Sequence, residues 1–190
     1  MNYIFTGRFQ PLHKGHIAFL EKVKEMFPND LLIICIIRNS IESIKPIASS
    51  DFYKAAIEKQ KKYNNPLPNW ERYMLLKLVV ENNELLNKNT IILFRNRPEI
   101  NWESSVSDLP EERIWLIPEK AKEKFDEEKY LFYLSMQEKI MKIPANFTNY
   151  SGTLIRKQLF SGNSEFNFLP DYCVDYFKQY CLKYFLNEQE

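Results

Sequence analysis

The chain has 190 residues, a formal net charge of +1 from 26 Lys and Arg against 25 Asp and Glu, and 15% aromatic residues. That length predicts one domain around one substantial core, and the aromatic content argues for a packed protein rather than a disordered one. Balanced charge gives no footing for nucleic acid or an anionic membrane as partner, and the longest apolar run, Leu31 to Ile37, is far too short to span a bilayer.

Tyr3-Ile4-Phe5 reads as a short strand, starting so near the first Met that no signal peptide is expected. It runs into Gly7-Arg8-Phe9-Gln10-Pro11-Leu12-His13-Lys14-Gly15-His16, which holds both histidines and two of the four glycines of the chain. Phe19, Leu20, Val23 and Phe27 then recur at helical spacing. The turn therefore joins the carboxyl end of a strand to the amino end of a helix, where open α/β sheets bind ligands and free N–H groups attract phosphate. Gly7 would let a phosphate or base approach the backbone, and Arg8, Lys14 and the two imidazoles could donate to its oxygens.

Leu31-Leu32-Ile33-Ile34-Cys35-Ile36-Ile37 predicts a strand covered on both faces, as in a parallel sheet. Arg38-Asn39-Ser40 ends it at the same sheet edge, either lining the ligand cleft or simply making a strand-end turn. Residues 41–69 read as a link with a short helix in Asp51 to Tyr63 and a loop rich in breakers, Asn64 to Asn69. A lid, an oligomer contact and surface decoration are all open roles for it. Asn69 is the expected N-cap of a helix from Trp70 to Asn82 with Met74, Leu75, Leu78 and Val79 as its apolar stripe.

Thr90 to Arg95 and Arg113 to Ile117 read as the third and fourth strands. Glu119 to Gln137 is either a helix, or a helix followed by an edge strand Lys129 to Leu134. Ser151 is the expected cap of a helix starting at Thr153, buried through Leu154, Ile155 and Leu159. There Ser151, Thr153, free N–H groups and Arg156 would converge as an anion site. Pro170 starts a last helix, over 170–190, with Val174, Phe177, Cys181, Tyr184 and Phe185 as its apolar stripe. Cys173 and Cys181 lie about 12 Å apart along that helix, too far to bridge, and Cys35 falls in a core strand. Three such cysteines, and no cluster with metal-ligand spacing, fit a reduced cytoplasmic protein without a metal cage of its own.

Gly7 to His16 resembles the amino-terminal motif of the HxGH nucleotidyltransferases, most closely the archaeal-type nicotinamide mononucleotide (NMN) adenylyltransferases. Tyr150-Ser151-Gly152-Thr153-Leu154-Ile155-Arg156 resembles that family's second motif, SxTxIR. The resemblance implies a single domain over residues 1–190 with residues 41–69 as an insertion, a doubly wound Rossmann-like α/β fold with about five parallel strands, and adenylyl transfer from ATP to a phosphorylated small molecule. It implies catalytic roles for Arg8, His13, Lys14, His16 and Arg156, and nucleotide contacts from Thr6, Gly7, Phe9, Gln10, Ser151, Gly152 and Thr153. Mg²⁺ is expected to ride on the nucleotide phosphates. Asn101 and Trp102 stand where those enzymes carry an Asn and a Trp for the nicotinamide ring, although here the two are adjacent. Glu71-Arg72 opens its helix as a Glu-Arg pair does in that family; an exposed pair is the other reading. Where those enzymes have a Ser-Gly-Asn turn after the fourth strand, this chain has Ile117-Pro118-Glu119-Lys120, and a proline has no N–H to offer a substrate. NMN is the expected acceptor; phosphopantetheine or a phospho-alcohol with ATP or CTP, and a nucleotide-binding regulatory module without turnover, are the alternatives.

Overall fold

Alternation along the strands decides the architecture. In β1 (Asn2–Gly7), Tyr3 and Phe5 enter one apolar cluster and Ile4 the other. In β2 (Leu31–Ile37), Leu32, Ile34 and Ile36 join the first cluster, Ile33 and Cys35 the second. A strand whose successive side chains are all buried must be covered on both faces. The computed structural model describes residues 1–39, 50–59, 61–119, 124–145, 150–163 and 165–186. With β3 (Thr90–Arg95), β4 (Ile114–Glu119) and β5 (Lys139–Pro144) it forms a five-stranded sheet in the order β3-β2-β1-β4-β5, parallel throughout. The doubly wound fold read from the sequence is the one observed.

One face carries α1 (Lys14–Met26), α3 (Asn69–Glu81) and α6 (Gly152–Phe160), through Phe19, Leu20 and Val23, Leu75, Leu76 and Val79, and Ile155 and Leu159. Each such side chain contributes about 1.5–3 kcal/mol when taken out of water. The other face carries α4 (Trp102–Val106) and α5 (Lys124–Ser135), where Trp102, Trp115, Phe132 and Tyr133 pack as one aromatic group. α2 (Ser50–Glu58) precedes a 3₁₀ turn, Lys62–Asn64. The chain ends in α7 (Asp171–Tyr176), a π turn (Phe177–Cys181) and α8 (Lys183–Leu186). Cys173, Phe177, Cys181 and Phe185 are all fully buried at a strict spacing of four. At 3.6 residues per turn such a repeat drifts by about 40° a step, and the wider π turn takes up the drift. No helix among the described residues is long and apolar enough to cross a membrane.

Several boundaries differ from the sequence reading. Lys129 to Leu134 is helix: Phe132 and Tyr133 are both buried while Leu131 and Leu134 are exposed, and neighbours on a strand cannot share a face. The edge strand is β5, blunted by exposed Lys139 and Lys142. β4 continues through Pro118, which is registered with Ile143; β4 pairs with β1 only as far as Leu116, so the missing N–H costs no bond to β1. Asn69 does not cap α3 but opens it, and its side-chain oxygen accepts from the Arg72 guanidinium and from the Asn39 N–H at 3.3 Å. Leu154 is 56% exposed, because α6 turns Ile155, Arg156 and Leu159 inward instead. Lys120 and residues 40–49 lie outside the described residues.

Candidate active site

The strand order places β1 beside β4, and the chain leaves β1 in one direction through β2 and β3 before returning to β4 on its other side. The carboxyl end of β1 is therefore the switch point of the sheet, where the crevice opens. Phe9 there has φ +51, a left-handed conformation that costs a bulky residue roughly 1–2 kcal/mol, and a cis Gln10-Pro11 bond follows. Packing holds it: the ring is 1% exposed and stands edge-on to Phe5 and His16, 6.1 and 5.0 Å between centroids. A Cβ added to Gly7 would lie 2.7 Å from Phe9 Cζ, so the space a side chain would take at Gly7 is filled by this ring.

The helix begins at Lys14, two residues before the His16 start that the sequence suggested. His13 is the N-cap residue of α1, its carbonyl accepting from the N–H of His16 at 2.8 Å, and the two imidazoles stack 3.7 Å apart. Lys14 is exposed, and its N–H donates to the Phe168 carbonyl at 2.8 Å. His13, His16, Gly15, Thr6 and Gly7 line a cavity of about 150 Å³ that reaches Pro118, Asp126, Lys129 and Ala145. A second cavity of about 130 Å³ shares Thr6, Gly7, Asp126 and Lys129 and runs to Arg8, Lys59, Arg97 and Glu99.

The two sequence motifs meet. Arg156, 2% exposed, donates from Nη1 to the Gln10 carbonyl at 2.6 Å and from Nη2 to Asn64 Oδ1 and Thr153 Oγ1 at 3.1 and 3.2 Å. Gly152 lies against that same carbonyl, where a Cβ would come within 3.3 Å of the oxygen. Ser151 holds the N-cap position of α6 without a side-chain cap bond. Arg8 donates to the Lys59 carbonyl at 2.8 Å; burial, then Arg97, Arg156 and Arg72, pull its pKa down to about 9, still charged at neutral pH. Three guanidiniums near Arg8 disfavour its charge and favour a polyanion beside it.

Arg72 is not half of an exposed pair. It is fully buried and donates from Nη1 to the carbonyls of Arg8 and Ile37, both at 2.7 Å, while burial lowers its pKa to about 9. Glu71 accepts from the Tyr176 hydroxyl at 2.7 Å. Surface decoration also fails as a description of residues 64–67, of which Asn64 is bonded to Arg156. Gln10 exchanges two hydrogen bonds with Leu67, at 2.8 and 2.9 Å, and Asn39 donates to the Leu67 carbonyl at 2.9 Å.

Asn101 and Trp102 are not brought to these cavities. Asn101 caps α4, accepting from the Ser104 N–H at 3.1 Å, and Trp102 packs 6.0 Å from Trp115 and 5.8 Å from Phe132. The sequence reading missed Arg97, Glu99, Asp126 and Lys129. The first two follow β3 at the same sheet edge as the first motif, a positional signal; they form an ion pair at 3.1 Å, both buried. Asp126 lay in a charged run with nothing to single it out, and Lys129 had no signal while Lys129 to Leu134 could equally be read as strand.

The Cytidylyltransferase-like family model matches residues 4–158. Proteins named nicotinamide-nucleotide adenylyltransferase from Methanococcus maripaludis and Methanococcus vannielii are each 26% identical, over 178 and 181 residues. In both cases 92% of this chain is aligned, with 86% and 87% of theirs. Among solved structures, a bifunctional NMN adenylyltransferase/ADP ribose pyrophosphatase from Francisella tularensis, complexed with AMP and a Mn ion, superposes with a TM-score of 0.61 at 14% identity. The match covers 94% of this chain and 48% of that one, about half its length, and speaks for the fold.

Proposed function

The chain belongs to the cytidylyltransferase-like family, and on that premise we propose that it transfers the adenylyl group of ATP to the phosphate of NMN, releasing NAD and pyrophosphate. The observation that carries the reading is the 2.6 Å bond from Arg156 to the Gln10 carbonyl, which joins residues 146 positions apart into one cationic site beside the stacked histidines. In this reading a phosphate oxygen of the acceptor attacks the α-phosphorus of ATP in line, and the bond to the β-phosphate oxygen breaks as pyrophosphate leaves. The nucleophile is already an anion, so no general base is needed; the protein's task is alignment and charge stabilisation.

His13, His16, Arg8 and Lys14 act on the phosphates, and Arg156 holds the first motif in shape while adding its charge. Thr6, Gly7, Phe9, Gln10, Ser151, Gly152 and Thr153 form the nucleotide's frame. The cavity beside the histidines takes the donor, and the one running to Arg97 and Glu99 takes the acceptor; Asn101 and Trp102, at the start of α4, border neither. Among the described residues no three His, Cys, Asp or Glu side chains are grouped as a metal site. That donor set fits Mg²⁺ held by the nucleotide's own phosphates, with Asp126 the carboxylate bordering both cavities; the ion would neutralise charge on the departing pyrophosphate. Three free, buried thiols suit a reducing cytoplasm.

The test is pyrophosphate release from ATP or CTP across NMN, nicotinate mononucleotide, phosphopantetheine and phospho-alcohols. ATP with NMN is the expected pair, and His16→Ala should fold and lose turnover by about 100-fold or more, the scale of one lost transition-state donor. Nucleotide binding without turnover on any acceptor would replace the enzyme by a binding module.

A further inference from the structure

Lys129 sits on α5, a helix that belongs to neither sequence motif, yet its side chain borders both cavities. Its Nζ donates to Thr6 Oγ1 at 2.6 Å and lies 5.7 Å from the centre of the Tyr133 ring. Thr6 and Gly7 are the wall the two cavities share, so this ammonium stands at their junction. An ammonium has three donors, and the Thr6 bond uses one.

Burial lowers the pKa of Lys129, and the carboxylates of Glu99 and Asp126 oppose that shift and favour the charged form. Asp126 is one helical turn before it and borders the same two cavities. A cation bonded to a hydroxyl on the wall that two cavities share is more than a link between α5 and β1. It is placed where donor and acceptor phosphates would have to meet for in-line attack. The neighbouring strand end offers no N–H at Pro118, another residue of the first cavity's wall.

We propose that Lys129 is a phosphate-binding cation of this site, reaching from α5 to the oxygens of the reacting phosphates at the junction of the two cavities. Its share should appear when the α-phosphate is bound and grow as charge shifts in transfer, so both nucleotide affinity and kcat depend on it. The turnover part of the inference rests on the adenylyl transfer proposed above; the binding part does not.

The experiment compares the full-length wild-type chain with Lys129→Met and Lys129→Arg. Calorimetric titration with α,β-methylene ATP should show at least tenfold weaker binding for Lys129→Met, and kcat should fall by about 100-fold. Lys129→Arg should recover part of both losses at an unchanged thermal midpoint. Affinity within twofold and kcat within threefold of wild type in a folded Lys129→Met protein would overturn the proposal, as would equal impairment of the Met and Arg variants. Should Lys129→Met fail to fold, reductive methylation of the wild type, read by peptide mass spectrometry, decides instead. α,β-Methylene ATP should shield Lys129 by tenfold or more, and unaltered labelling would refute the contact. A wild type that releases no pyrophosphate from ATP and NMN would defeat the acceptor reading, while the titration and the labelling would still judge Lys129.

Discussion

Gly7→Ala tests whether the first motif is held in shape by packing around Phe9. The added methyl would stand 2.7, 2.8 and 3.2 Å from Phe9 Cζ, Cε2 and Cε1. Carbon atoms rest at about 3.5–4.0 Å, so the ring must retreat by most of an ångström. It has little room, being 1% exposed with Phe5 and His16 against it. Overpacking of this kind costs about 1–3 kcal/mol. At roughly 2–4 °C per kcal/mol for a chain of this size, the thermal midpoint should fall by about 2–12 °C. The displaced ring pushes on His16, so turnover should fall as well. Urea unfolding of Gly7→Ala, Phe9→Leu and the double variant gives the coupling directly. A leucine has no atoms at Cε or Cζ, so the double variant should be more stable than the sum of the singles predicts, by about 1 kcal/mol or more. Additive effects, or a Gly7→Ala loss under about 0.5 kcal/mol, would refute the argument.

Arg156→Ala should cost about 3 kcal/mol or more in urea unfolding and weaken ATP binding, since it strips three charge-assisted bonds from a buried site and leaves the Gln10 carbonyl short of its donor. Arg156→Lys should rescue only part, because one ammonium cannot span partners that the planar fork meets together; full rescue would mean that charge alone matters. Trp102→Ala should lower stability through its lost packing with Trp115 and Phe132 and leave the KM for the acceptor within about twofold; a tenfold rise in that KM would bring the ring to the acceptor instead. Burial pushes the thiols of Cys35, Cys173 and Cys181 up to about 12, so they stay protonated in the folded chain. Their contribution is complete below the unfolded-state value near about 8.5 and is lost as pH rises from there toward about 12. The urea midpoint should therefore drop between pH 8 and pH 10.5, and a flat profile would contradict the burial.

What could be read beforehand followed the strength of each pattern. β2 was legible to its last residue because an unbroken β-branched run admits only a strand covered on both faces. β5 was not, since its lysines interrupt the apolar alternation as an edge strand requires, and α5 stayed ambiguous because adjacent aromatics fit either period. Both motifs were visible as polar, glycine-bearing turns at helix starts. Their supports were not: Arg8 and Arg72 bond to main-chain carbonyls, and an acceptor that every residue possesses leaves no mark in sequence. The same holds for Lys129, whose position on a cavity wall depends on how α5 packs.

The bonds of Gln10 also bear on when the site comes into being during folding. Its side chain is matched to Leu67, 57 residues on, and its carbonyl to Arg156, 146 residues on. Contacts closing loops of that size form only after local structure has made them affordable in chain entropy. A nascent chain that has completed β1 and α1 therefore has the histidines but not the pocket, and a product truncated before α6 never acquires it. Nucleotide binding by this protein then requires that α6 has been made and docked: the ligand recognises, and by mass action stabilises, only molecules whose two motifs have found each other.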